Sequence, residues 1–133
     1  KVAYISHRKG RFLGAFRREA SSQNESNAVG IVVSEPEAEG CRIMVRQIAG
    51  AVARRIVCAC KEGDTLTRGQ RFGMIKFGSR TELIIPRAVA FQPSVSVGQK
   101  VKAGATVIGR FLGCPAEQQL SKSGGRSAAS PDA

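Results

Sequence analysis

Gly63-Asp64-Thr65-Leu66-Thr67-Arg68-Gly69 is repeated in outline later in the chain as Gly98-Gln99-Lys100-Val101-Lys102-Ala103-Gly104. In each segment two glycines flank one central aliphatic residue, and a run of apolar sequence follows. Glycine tolerates the positive φ angles of tight turns because it has no Cβ. The two segments therefore predict related turns between β-strands, each with its aliphatic side chain buried.

Short runs rich in β-branched residues surround these turns and are separated by Gly, Pro and Asn. The predicted strands are Val2–Ile5, Val29–Val33, Arg42–Ile48, Arg55–Cys60, Phe72–Phe77, Leu83–Ile85, Val95–Val97 and Thr106–Phe111. Helix is predicted only as a short segment near Ala20–Glu25, and Ile48–Ile56 is compatible with a helical turn. We expect an all-β fold, a compact barrel-sandwich hybrid-like domain over residues 1–114 with little helix.

The repeated turn resembles the hairpin turns of biotinyl and lipoyl carrier domains, which are small barrel-sandwich folds. Neither the Met-Lys nor the Asp-Lys-Ala turn that carries their prosthetic group is present. The resemblance therefore implies architecture and not a carrier function. Residues 115–133 are rich in Ser, Ala, Gly and Gln, and they predict a disordered tail.

The composition favours an anionic partner. The chain has 133 residues, with 21 Lys and Arg against 10 Asp and Glu, for a formal net charge of +11. Nucleic acid and an acidic membrane face both attract such a surface. One Tyr, no Trp and six Phe, mostly in apolar contexts, give little support for a base-stacking platform, so nucleic acid is not predicted as the partner. No apolar run approaches the roughly 20 residues that span a bilayer.

The sequence begins at Lys1 and enters a strand-like stretch at once, which we interpret as a chain cut at its N-terminus.

The cysteines predict thiols rather than a metal site. Cys58 and Cys60 would share one face of a strand. With no Cys-x-x-Cys and His7 as the one histidine, zinc is not expected. The four cysteines are predicted to be buried or half-buried thiols in a reducing cytosol.

The segment Phe77-Gly78-Ser79-Arg80 carries the most chemical information. Gly78 permits a strained turn, and Ser79 then presents a hydroxyl close to the preceding carbonyl. That arrangement suits an N-to-O acyl shift, in which the Ser79 oxygen attacks the Gly78 carbonyl. Gly-Ser dipeptides are common in hairpins, however, so the pair alone indicates no more than a turn.

The longer pattern closely resembles the short, archaeal-type phosphatidylserine decarboxylases, specifically the C-terminal part of the proenzyme. The matching segments, in consistent order and spacing from about Val2 to Arg110, are Gly10–Leu13 with Ala15, Asn24–Asn27, Gln47–Gly50, Val52–Val57 and Gly69–Arg80. The resemblance implies cleavage at Gly78–Ser79 into a β chain, residues 1–78, and an α chain that begins at residue 79. Ser79 would become a pyruvoyl group, with no metal or diffusible cofactor required.

The same resemblance implies the reaction. The pyruvoyl ketone at position 79 would form a Schiff base with phosphatidylserine and act as the electron sink while carbon dioxide leaves, giving phosphatidylethanolamine. Arg80 is a candidate for steering the anionic substrate, although a solvated arginine at a strand end is an equal alternative. Arg54 and Arg55 would point to opposite faces of a strand, so at most one would serve a phosphate site. The implied location is peripheral, at the acidic cytoplasmic face of the cell membrane.

Two departures from the family pattern leave alternatives open. Ser26 stands where the family usually has Arg, and the family's Asp and His-Val-Asn motif are not among these 133 residues. Either those residues precede Lys1, and this fragment alone would process poorly, or the chain is an inactive homologue that serves as a non-enzymatic basic β-barrel module. A pyruvoyl decarboxylase of a soluble amino acid is a further alternative, which the Gln47–Gly50 and Phe77–Arg80 motifs disfavour.

Overall fold

The computed structural model describes residues 1–115, and nearly all of the predicted tail lies outside them. The strands are β1 (Val2–Arg8), β2 (Ser26–Val32), β3 (Arg42–Ile48), β4 (Ile56–Cys58), β5 (Gly73–Ile75), β6 (Arg80–Ile84), β7 (Ala90–Pro93) and β8 (Gly109–Gly113). The helical elements of this part of the chain are one α-helical turn, α1 (Ala20–Gln23), and one 3₁₀ turn, Pro36–Ala38. The prediction of an all-β domain with a short helix near Ala20 is confirmed.

The strands form three antiparallel sheets. The largest has the order β1-β2-β3-β6, while β4 pairs with β5 and β7 pairs with β8. Within residues 1–115 these sheets do not close into a barrel. In the four-stranded sheet, β3 places Ile48 directly opposite Arg80 at the start of β6.

The two repeated segments occupy related positions, as predicted. The first connects β4 to β5 and the second connects β7 to β8, so each closes a two-stranded antiparallel hairpin. Gly63, Gly69, Gly98 and Gly104 all have positive φ, between 72° and 91°. The two central aliphatic side chains differ in burial, however. Leu66 packs against a core cluster, whereas Val101 is 51% exposed, so the prediction of a buried side chain was wrong in the second repeat.

Two small apolar clusters form part of the core. The first contains Val2, Val29 and Cys60, with side chains from the β4–β5 hairpin packed against it. The second contains Ala38, Cys41 and Val89, with Ile85 and Phe111 packed against it. The β4–β5 hairpin therefore packs against β1 and β2, whereas the β7–β8 hairpin packs against the 3₁₀ turn and residues just beyond the ends of the main-sheet strands.

Some strand predictions were wrong. Val95–Val97 is not a strand, because it lies in the connection between β7 and β8, where Val97 is fully exposed. The observed strand Ala90–Pro93 was missed, since a proline and a glutamine weaken its β pattern. The segment between β3 and β4 contains a bend and no helical turn.

The cysteines are divided between two states. Cys58 and Cys60 are free thiols with sulfur atoms 3.6 Å apart, as expected for residues on one face. Cys41 and Cys114 form a disulfide with Cα atoms 5.6 Å apart, so the prediction of four thiols was wrong for this pair. Sequence spacing gave no sign of the pairing, because the two residues are 73 positions apart and meet only through the second core cluster.

Candidate functional site

Ser79 lies at the end of a turn that joins β5 to β6. Gly78, the third residue of the turn Lys76–Ser79, has a φ of +77°, the conformation that a type II turn requires at that position. The Ser79 hydroxyl donates a hydrogen bond to the Lys76 carbonyl oxygen at 2.5 Å. The predicted role of Gly78 as the residue that permits this turn therefore agrees with its geometry.

Gly50 packs directly against the Gly78 carbonyl group. A Cβ built on Gly50 would overlap the Gly78 oxygen and lie 2.7 Å from its carbonyl carbon. The Gly50 backbone N–H donates to the Ala53 carbonyl at 2.9 Å, which holds this loop in a tight bend beneath the turn. Only glycine fits position 50 while the Gly78–Ser79 peptide keeps this position.

Asn24 fixes the chain immediately before Gly50. Its side chain is fully buried and donates to the carbonyl oxygens of Leu13, at 2.7 Å, and Ala49, at 2.8 Å. Its Oδ1 accepts the Leu13 backbone N–H at 3.0 Å. One amide thus joins three separate segments, and a buried polar group satisfied in this way resists displacement.

A buried pair of amide side chains links β2, β3 and β4. Asn27 Nδ2 donates to Gln47 Oε1 at 3.2 Å across the β2–β3 ladder, and Gln47 Nε2 donates to the Val57 carbonyl at 3.3 Å. Gly73, in the strand that leads to the Ser79 turn, approaches both Gln47 and Val57 so closely that a Cβ would collide with them. The three sequence motifs around Asn24, Gln47 and Gly73 therefore form one contiguous scaffold.

Arg80 belongs to a charge cluster rather than projecting freely. Its guanidinium lies 2.9 Å from Glu82, and it also reaches the backbone carbonyls of Ala15 and Arg17 at 3.4 Å. Arg46 and the Ser21 hydroxyl also bind Glu82. This arrangement ties Arg80 to the sheet, so any steering of substrate would use a guanidinium that is already partly engaged.

The environment of Glu82 favours its charged form. Burial alone would raise its pKa, but the hydrogen bonds from Ser21 and Arg46 and the positive charges of Arg46 and Arg80 together lower the pKa below its ordinary value. Glu82 was missed at the sequence level. The alternation Arg80-x-Glu82, which places both side chains on one face of a strand, was the available signal.

Ser26, one of the two departures from the family pattern, can now be located. Ser26 is buried in β2, and Arg8 lies directly opposite it in the ladder. The Arg8 guanidinium donates to the carbonyls of Ser21 and Asn24, so a positive charge reaches this loop from β1. His7 lies 3.1 Å from Glu25, a contact at the surface of the main sheet.

The surface around Ser79 is apolar and basic. A shallow depression is lined by residues 74–79, of which Phe77 is 96% exposed. Val52, which is 85% exposed, lies next to Gly78. Arg54 precedes β4, where its guanidinium lies 5.3 Å from the Phe12 ring centroid and donates to the Ala51 carbonyl. Arg54 and Arg55 are both exposed and outside the strand, so the prediction that they alternate between strand faces was wrong.

No helix in residues 1–115 is long and apolar enough to cross a membrane. In the same part of the chain, no three His, Cys, Asp or Glu side chains cluster in a way that could hold a metal ion.

The comparisons with known proteins agree on one family. The sequence profile of phosphatidylserine decarboxylase matches residues 1–109. The phosphatidylserine decarboxylase proenzyme of Rhodopirellula baltica is 47% identical over 111 residues, covering 84% of this chain and 45% of the relative. The proenzyme of Syntrophus aciditrophicus is 50% identical over 111 residues, covering 84% of this chain and 49% of the relative.

The chain spans about half the length of the curated relatives that it matches. No solved structure matches it. The match extends through the Asn24, Gln47 and Gly73 scaffold and the Gly78–Ser79 turn. This chain belongs to the phosphatidylserine decarboxylase family.

Proposed function

We propose that this chain carries the self-cleavage site and the catalytic residue of a phosphatidylserine decarboxylase, which converts phosphatidylserine to phosphatidylethanolamine in phospholipid biosynthesis. The observation that carries the proposal is the Ser79 turn itself. A hydroxyl follows a glycine at φ +77°, and the carbonyl of that glycine is packed against Gly50 within the family's own motifs.

Cleavage would proceed by an N-to-O acyl shift. Ser79 Oγ attacks the Gly78 carbonyl carbon, the Gly78–Ser79 amide bond breaks, and an ester and a free amine form. Elimination then breaks the Ser79 Cβ–Oγ bond, which releases a β chain with a carboxylate at Gly78 and leaves dehydroalanine at position 79. Tautomerisation and attack by water release ammonia, and residue 79 becomes the N-terminal pyruvoyl group of the α chain.

The residues around Ser79 supply part of what the N-to-O acyl shift requires. The Lys76 carbonyl orients the Ser79 hydroxyl, but a neutral carbonyl does not remove its proton. The base must therefore come from another group, a role that the resemblance assigns to Asp and His residues not contained in these 133 residues. Gly50 limits the positions available to the Gly78 carbonyl, which helps to keep the carbonyl carbon near the attacking oxygen.

After cleavage, residue 79 would remain anchored through its neighbour. Arg80 pairs with Ile48 in the β3–β6 ladder and binds Glu82, so the new N-terminus stays beside the apolar depression. A pyruvoyl group supplies a ketone conjugated with an amide, which withdraws electrons while the substrate loses carbon dioxide. The turn residues leave this position accessible, since Gly78 and Phe77 are exposed.

A lipid substrate and the net charge of +11 together support peripheral binding at the acidic cytoplasmic face of the cell membrane. The exposed side chain of Phe77 lines the depression where the substrate would arrive, and the exposed Val52 lies next to Gly78. A surface that combines basic and apolar groups suits the headgroup region of a bilayer.

The test compares wild type with Ser79→Ala and Ser79→Cys, each expressed at its natural length. Wild type should yield two chains that meet between Gly78 and Ser79, with an α chain that reacts with phenylhydrazine, a carbonyl reagent. Ser79→Ala should remain uncleaved and inactive because the attacking oxygen is gone. Ser79→Cys should cleave slowly, since a thiol can perform the same shift. An uncleaved wild-type protein without activity would support the inactive-homologue alternative instead.

A further inference from the structure

The disulfide spans the proposed cleavage site. Cys41 precedes β3, Cys114 follows β8, and their Cα atoms are 5.6 Å apart, within the range that disulfides require. We propose that, once the chain is cut at Gly78–Ser79, the Cys41–Cys114 disulfide joins the β and α chains covalently. This inference rests on the proposed cleavage and adds a linkage that the family membership does not supply.

The packing around the disulfide does not depend on the peptide bond that would be cut. Cys41 is fully buried in a cluster with Ala38 and Val89, against which Phe111 also packs. Ala38 and Cys41 belong to the future β chain, while Val89 and Phe111 belong to the future α chain. The cluster therefore holds the two cysteines together from both sides of the cut, and we expect it to persist after cleavage.

The two remaining cysteines provide a contrast within the same molecule. Cys58 and Cys60 have sulfur atoms 3.6 Å apart, but both precede residue 79, so a bond between them would not join the chains. Burial, followed by the hydrogen bond with Cys58, raises the pKa of Cys60 to about 11. Its thiol therefore stays protonated near neutral pH and is a poor nucleophile for exchange.

Formation of the linkage requires an oxidant, for which a small disulfide such as oxidised glutathione suffices. The thiolate of one cysteine attacks the glutathione disulfide, which forms a mixed disulfide and releases one reduced glutathione. The second cysteine displaces the other glutathione, so two electrons and two protons leave with two reduced glutathione molecules. Because reducing compartments oppose this step, the fraction of linked chains would follow the local redox poise.

The experiment uses the protein at its natural length, incubated with oxidised glutathione, blocked with N-ethylmaleimide and denatured. Without reductant, we expect one species with the summed mass of both chains. After dithiothreitol, we expect two chains. Cys114→Ser and Cys41→Ser should each give two chains without reductant, and Cys58→Ser, which removes a thiol outside the pair, should behave as wild type.

The outcomes separate the linkage from the cleavage. Two separate chains from wild type without reductant would overturn the linkage while leaving cleavage intact. A single chain after reduction would overturn cleavage, and the interchain linkage with it. If either cysteine variant fails to fold, the comparison of the wild type with and without dithiothreitol still tests the linkage.

Discussion

Gly50 and Gly78 approach each other so closely that a Cβ on Gly50 would overlap the Gly78 carbonyl oxygen. The contact joins the loop after β3 to the peptide that the proposed reaction breaks. Asn24 holds the residue before Gly50 by its hydrogen bond to the Ala49 carbonyl. In the proposed cleavage, Gly50 would therefore be a positioning residue that limits where the Gly78 carbonyl can lie, with no chemical step of its own.

Gly50→Ala should slow or abolish cleavage, because the added methyl group must displace the Gly78 carbonyl. Gly113→Ala is the matched control, since a Cβ there meets nothing within 4 Å. Both variants are followed by the cleaved fraction over time and by circular dichroism, which reports whether the fold is retained. A folded Gly50→Ala protein that is cleaved at the wild-type rate would contradict the positioning role.

Gly78 should be replaceable only at a conformational cost. A Cβ at this position meets only Val52, at 3.8 Å, so alanine would not clash. The φ of +77° nevertheless costs a residue with a Cβ about 1–2 kcal/mol. In an uncleavable Ser79→Ala background, Gly78→Ala should lower the free energy of unfolding in urea by about that amount. Gly78→Asn should lower it less, because asparagine tolerates this region better. Equal losses of unfolding free energy for Gly78→Ala and Gly78→Asn would show that the positive φ does not determine the loss.

The sequence predicted local features better than long-range ones. The glycine repeats and the Arg42–Ile48 strand follow from local conformational preferences, and both agree with the structure. The strand predicted at Val95–Val97 was wrong, because pairing partners and not propensity decide whether a short run is a strand.

At the candidate site, Gly78 and Ser79 could be proposed from sequence because the predicted acyl shift involves two adjacent residues. Two contacts could not be predicted: the approach of Gly50 to the Gly78 carbonyl and the Cys41–Cys114 disulfide. Each joins segments that are distant in sequence and meet only in the folded chain. The Gln47–Gly50 motif includes Gly50, but the motif does not reveal its contact with Gly78. The role of Gly78 and Ser79 thus stays a prediction, and sequence alone did not reveal the contacts that surround them.

Glu82→Gln should destabilise the fold by about 1–3 kcal/mol at pH 7, because it removes the charge to which Arg46 and Arg80 bind. The pKa of Glu82 is lowered in the folded protein, so its stabilising contribution is present above the ordinary value of 4.5 and is lost as pH falls through the folded pKa. The difference between wild type and variant in urea unfolding should therefore shrink at acidic pH.

The control for Glu82 is Glu35→Gln. Glu35 binds Arg68 at the surface, with side chains 49% and 82% exposed, and such pairs contribute little. Both variants are measured in the Ser79→Ala background so that cleavage does not alter the unfolding reaction. A loss from Glu82→Gln that stays constant between pH 7 and acidic conditions would rule out the carboxylate charge as its cause.

Binding to lipid vesicles should depend on charge at the face that carries Ser79. Binding should increase with the anionic lipid content and weaken with salt, since screening acts beyond about 10 Å at 0.1 M ionic strength. Arg54→Gln with Arg55→Gln should weaken binding more than Lys100→Gln with Lys102→Gln, although both pairs remove the same charge. The arginines closely follow Val52, which neighbours the Ser79 turn, whereas the lysines lie in the β7–β8 connection. Sedimentation with neutral and anionic vesicles measures the difference, and equal binding to both vesicle types would remove the electrostatic argument for membrane docking.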